Sequence, residues 1–120
     1  MSNDNLQLEQ LSIMGGATEV LQFEINDING QPFDLSTTTI IWTMSIIGDK
    51  ENPVVIKDSS SIGGITIQDN GLCIIEINKE DTEMLKDMKM EHELIIEQLN
   101  GKVLRPCYGY IYIKQGSIYK

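Results

Sequence analysis

Residues 64–78, Gly-Ile-Thr-Ile-Gln-Asp-Asn-Gly-Leu-Cys-Ile-Ile-Glu-Ile-Asn, decide the fold. Ile65 and Ile67 alternate with Thr66 and Gln68, the period of a strand with one wet face. Asp69-Asn70-Gly71 supplies residues that tolerate positive φ in a tight hairpin, and Leu72 to Ile77 runs back. On the return strand Glu76 shares a face with Leu72 and Ile74, so Cys73, Ile75 and Ile77 are the expected core residues. Downstream, Asn78 to Leu85 reads as a corner with one short helical turn near residues 81–86, capped by Asp81 or Thr82, with Leu85 tucked beneath it. Met90 to Leu99 then extends again until Asn100-Gly101 reverses the chain.

The flanking segments fit the same plan. Residues 1–5 read as a flexible tail, and the spacing of Leu6, Leu8, Leu11 and Ile13 suits a short edge strand or a loose amphipathic turn, ended by Gly15-Gly16. Val20 to Asn26 alternates cleanly, with Leu21, Phe23 and Ile25 on one face. Thr37 to Ile47 is the longest apolar strand, and its expected core face carries Ile40, Trp42, Met44 and Ile46. Val54 to Lys57 is a short partner strand, followed by a mobile loop over residues 58–63. In the strand after the corner, His92, Leu94 and Ile96 oppose Glu91, Glu93 and Glu97, and that acidic side must be solvated or meet a basic partner. Pro106 is expected to break the ladder before the last strand, where Gly109, Ile111 and Ile113 share one face and Tyr108, Tyr110 and Tyr112 the other. Short strands at regular spacing, with no long helical period, predict an all-β fold over residues 1–120: one antiparallel β-sandwich domain of about seven or eight strands.

The net charge of -9 and the single arginine, Arg105, argue against nucleic-acid binding, which needs Lys and Arg to neutralise phosphates. The same acidity disfavours an anionic membrane surface, and no segment approaches the roughly 20 apolar residues of a membrane span. The amino terminus has neither the basic start nor the apolar run of a signal peptide, so the expectation is a soluble protein that is not exported by that route. Cys73 and Cys107 are then expected to be reduced and to act as small hydrophobes rather than as a disulfide.

No catalytic constellation is assembled. His92-Glu93 evokes a zinc-protease helix, but the second histidine that such a site needs is Ile96 here, and His92 is the only histidine. Glu80, Asp81 and Glu83 with Asn78 offer oxygen ligands for calcium, yet their spacing matches no ligand loop, and carboxylates are favoured at a helix start in any case. The serines have no neighbouring base, and Gly15-Gly16 and Gly63-Gly64 lack the lysine and helix of a phosphate loop. The expectation is a non-enzymatic chain with no catalytic residue, metal or other cofactor. Tyr108, Tyr110 and Tyr112 stand out instead. A row of three rings on one strand face serves as a protein interface, as a sugar-stacking platform, or as plain cover for a sheet.

Several short stretches together resemble a known group. These are Q-F-E-I-N-D-I-N-G at 22–30, Pro32-Phe33-Asp34-Leu35 leading into the Trp42 strand, G-G-I-T-I at 63–67, E-D-T-E-M-L at 80–85, E-H-E-L at 91–94 and G-Y-I-Y-I at 109–113. They look like the small immunoglobulin-like virion proteins of tailed bacteriophages and prophages, and are similar to the amino-terminal sandwich of phage upper baseplate proteins. The resemblance spans about Val20 to Ile113. It implies an immunoglobulin-like sandwich serving as a tail or baseplate structural part, assembled in the bacterial cytoplasm and carried in the virion. Its implied partners are other virion proteins, with a homo-oligomer of its own copies as a further expectation. The chain departs from the pattern at Asp87-Met88-Lys89-Met90, where such proteins often carry glycine and aromatics, and no fibre extension follows the last strand. A stand-alone adaptor therefore fits better than the anchor of a long arm, with a carbohydrate-binding accessory module as the alternative.

Overall fold

A computed structural model describes residues 7–85 and 87–114. The expected amino-terminal tail, residues 1–5, and Leu6 lie outside the described residues. The described residues form β1 (Gln7–Met14), β2 (Glu19–Glu24), β3 (Thr39–Ile46), β4 (Val55–Asp58), β5 (Ile65–Gln68), β6 (Leu72–Ile77), a single helical turn α1 (Lys79–Thr82), β7 (Met88–Glu97) and β8 (Val103–Lys114). They pack as a two-sheet β-sandwich, with a five-stranded sheet in the order β1-β8-β7-β3-β4 and a three-stranded sheet in the order β2-β6-β5. No helix among the described residues is long and apolar enough to cross a membrane.

The core lies between the sheets. Trp42, Ile40 and Met44 of β3 and Met90, Leu94 and Ile96 of β7 are fully buried, and they face Phe23, Cys73, Ile75 and Ile77 from the smaller sheet. Each such side chain contributes about 1.5–3 kcal/mol of transfer free energy when buried. The face of β3 that carries Trp42 is the core face, as its alternation predicts, although Ile46 at its end is exposed.

Three local features differ from the sequence reading. The sandwich is antiparallel except for β1, which runs parallel to β8 from Gln7 opposite Cys107 to Met14 opposite Lys114. A tight hairpin forces antiparallel pairing on its two strands, but strands this far apart in the chain carry no such constraint. The helical turn lies at Lys79–Thr82 rather than 81–86, because Asn78 takes the N-cap position that Asp81 or Thr82 was expected to fill. The Asp81 carboxylate reaches back to accept the Asn78 N–H at 2.7 Å, satisfying a donor at the helix start. Pro106 does not end the ladder. β8 is continuous through it, and the β7–β8 register shifts between Leu94 and Ile96, so that Arg105 and Pro106 together oppose Ile95. A bulge is where a residue without an N–H fits in a strand. Within residues 58–63, which follow and overlap the end of β4, the Asp58 carboxylate accepts N–H bonds from Ser60 and Gly63.

The bulge decides which side chains face out. Before it, even-numbered Leu104 points inward with Ile96; after it, odd-numbered Cys107, Ile111 and Ile113 do, all buried. The extra residue places Arg105 and the three tyrosines on one outer face.

Candidate functional site

The outer face of the five-stranded sheet gathers the most chemistry. Tyr108, Tyr110 and Tyr112 are 40, 37 and 39% exposed. Across β7 they lie opposite Glu93, Glu91 and Lys89 in turn, and β3 continues the rows with Thr43 beside Glu93 and Ser45 beside Glu91. Directly opposed side chains of a sheet touch, so each tyrosine is set by a charged neighbour.

Each ring is held differently. The Tyr112 hydroxyl donates to the Asp87 carboxylate, and this bond raises the Tyr112 pKa above the ordinary phenol value. Asp87 can reach it because it takes the left-handed conformation, φ 67°, at the start of β7, where aspartate is tolerated. The Lys89 ammonium sits 4.6 Å from the centre of the Tyr110 ring, a cation–π contact. Tyr108 borders Glu93, which is the centre of the face.

Glu93 is a nearly buried carboxylate. Its side chain is 10% exposed and receives two cations, the Arg105 guanidinium at 3.1 Å and the Lys50 ammonium at 3.6 Å. Arg105 comes from the bulge in β8 and Lys50 from the turn between β3 and β4. That turn is pinned in place where the Gly48 N–H donates to the Glu91 carboxylate. Of the acidic side of β7, which the sequence requires to be solvated or to meet a basic partner, Glu93 meets two bases within the chain, Glu91 accepts the Gly48 N–H, and Glu97 is exposed.

The other candidates fall elsewhere. His92 is buried on the inner face, accepts the Trp42 indole N–H at Nδ1 at 3.2 Å, and lies between the rings of Trp42 and Phe23 at 6.0 and 6.2 Å. It joins the two sheets. Cys73 and Cys107 are buried thiols, and burial pushes the Cys73 thiol up to about 11. Among the described residues no group of three or more His, Cys, Asp or Glu side chains is placed to hold a metal ion. Of the corner carboxylates, Asp81 is paired with the Lys57 ammonium at 2.8 Å, while Glu80 and Glu83 point to solvent.

The larger hollows lie away from the tyrosine face, among them one of about 370 Å³ between residues 33–36 and the β5–β6 turn. The cavity beside Glu93 and Tyr108 holds only about 10 Å³. At one end of the sandwich a cleft of about 560 Å³ opens between Phe33, Thr37 and Thr38 on one side and Gln98, Leu99 and Asn100 on the other. The tyrosine face is therefore a broad surface suited to another macromolecule, and not a pocket.

No protein-family model matches this sequence, and no curated protein matches it.

The tyrosine row was readable from alternation in 108–112, and the parity of the glutamates from that in 91–97. Lys50 and Arg105 were missed as their partners, because the contacts depend on strand order and on the bulge. Lys57, buried on the inner side of β4 with its stem beneath Gly64, was also missed. The signal was its alternation with Val55.

Proposed function

We propose that this chain is a non-enzymatic structural module of a bacteriophage or prophage, an immunoglobulin-like part of the tail or baseplate that works as an assembly adaptor and docks through the tyrosine face. The observation that carries the docking role is the outer surface of the five-stranded sheet: three part-exposed tyrosines in a row around a carboxylate already neutralised by Arg105 and Lys50. Aromatic bodies with wet hydroxyls, over charges that need no new partner, have the composition of protein interfaces. The phage context rests on the resemblance of the 22–30, 63–67, 80–85, 91–94 and 109–113 stretches. Assembly in the bacterial cytoplasm, followed by residence in the virion beside other virion proteins, follows from the same resemblance.

A glycan-binding role is less favoured at this face. Sugars stack on open aromatic faces, and the Lys89 ammonium occupies one face of Tyr110.

The test is to purify particles from cells making this chain and locate it by mass spectrometry and electron microscopy. The expected result is stoichiometric recovery in the tail or baseplate fraction. Recovery only in the soluble lysate, with no particle-bound copy, would refute the reading.

A further inference from the structure

Charge is divided unevenly between the two layers. Residues 16–38 and 64–83, which build the three-stranded layer and α1, hold nine carboxylates and one lysine, a net of -8. Residues 7–14, 39–63 and 87–114, which build β1, β3, β4, β7 and β8 with the turns of the last four, hold eight carboxylates and six cations, a net of -2. The tyrosine face lies on the second group. There Lys50, Lys89, Arg105 and Lys114 balance Asp87, Glu91, Glu93 and Glu97.

We propose that this face is where two copies of the chain meet, sheet against sheet about a two-fold axis, with the acidic layers turned outward. This rests on reading the tyrosine face as a docking surface and names its occupant. Two molecules each carrying -9 repel over their acidic layers, whereas on this face four cations balance four carboxylates and contact brings no net like charge together. It is also large enough. The five strands hold 8, 12, 10, 8 and 4 residues; at about 3.3 Å per residue and about 4.8 Å between strands they cover about 670 Å², approaching the ~800 Å² per partner of a standard stable interface. Two flat outer faces pack as sheets do inside a sandwich. In such an isologous contact Tyr108, Tyr110 and exposed Ile56 of one copy cover the same patch of the other.

The experiment is sedimentation velocity and light scattering on the whole chain, from low to high micromolar concentration, at low and moderate salt. The expected result is a concentration-dependent species of twice the 13.5 kDa chain mass, strengthened by salt because screening removes the repulsion between acidic layers. Tyr110→Asp, or Lys89→Glu should the first variant lose its β-sheet circular dichroism, weakens the dimer at least tenfold. Val20→Asp, on the exposed outer face of the three-stranded layer, leaves it unchanged. A single 13.5 kDa species at every concentration, or a dimer indifferent to both tyrosine-face variants, overturns self-docking. Particle incorporation separates this from the docking reading itself: a monomeric protein whose Tyr110→Asp form is lost from particles keeps the docking face and discards the second copy, while normal incorporation of that form discards both.

Discussion

Glu93 is an anion taken out of water at the middle of a sheet, and the two cations that reach it remain more than half exposed. That asymmetry sets an order of mutational cost. Removing the carboxylate leaves Lys50 and Arg105 free to be hydrated, whereas removing a cation leaves a buried charge with less compensation. Arg105→Ala is expected to cost about 1–2 kcal/mol and Glu93→Gln less than about 1 kcal/mol, read from urea midpoints at unchanged slope. A larger loss for Glu93→Gln would show that the carboxylate has a structural role beyond accepting these ions. At Tyr112 the folded pKa lies above the unfolded value of about 10. The bond to Asp87 therefore contributes stability that is fully present below about pH 10 and is lost as pH rises through the raised value. The stability gap between the wild type and Tyr112→Phe should stay constant up to that point and close above it, as followed by denaturation at stepped alkaline pH.

At the scale of elements, the β5–β6 hairpin depends on one glycine. Gly71 has φ +72°, and a Cβ there would fall 2.3 Å from the Ile25 carbonyl oxygen and 3.0 Å from the Phe33 nitrogen. The close approach serves a bond, since the Ile25 N–H donates to the Gly71 carbonyl at 2.7 Å. Gly71→Ala therefore combines backbone strain with the loss of a sheet-end contact and is expected to cost about 2–4 kcal/mol by thermal or urea unfolding. The Thr82 hydroxyl performs a similar task between distant elements. Fully buried, it accepts the Gly16 N–H at 2.9 Å, so that Thr82→Val, similar in shape, should cost about 1–2 kcal/mol. This hairpin and the Trp42 strand were legible in the sequence because alternation and turn residues are local signals. The parallel seat of β1, the Pro106 bulge and the Lys57–Asp81 pair were not, since each depends on which strands become neighbours. The docking face was half legible for the same reason: Tyr108, Tyr110 and Tyr112 announce themselves within five residues, while Glu93, Lys50 and Arg105 meet only through the sheet.

For the whole molecule, the division of charge between layers has a thermodynamic cost. Nine carboxylates around the three-stranded layer repel one another at neutral pH, so moderate salt should raise the melting temperature, and Glu76→Lys on the outer face of β6 should raise it at low salt. Acid acts in the opposite direction through particular side chains. The Gly63 N–H bond holds the Asp58 carboxyl below the ordinary range, and the Ser36 hydroxyl does the same for Asp34. Their stabilising contribution is present above the unfolded carboxyl value near 4 and is lost as pH falls through the lowered folded values. Asp58→Ala should flatten that acid limb.

The parallel seat of β1 on β8 also bears on mechanics. Because the two strands run the same way, tension applied at residue 7 and at residue 114 pulls on opposite ends of their shared ladder. The hydrogen bonds are then strained side by side, in shear, instead of opening one after another like a zip. Stretched between those two points in a single-molecule instrument, the sandwich should yield at markedly higher force than when pulled from residues 65 and 75, the paired residues at the open end of the β5–β6 hairpin, where the bonds part singly.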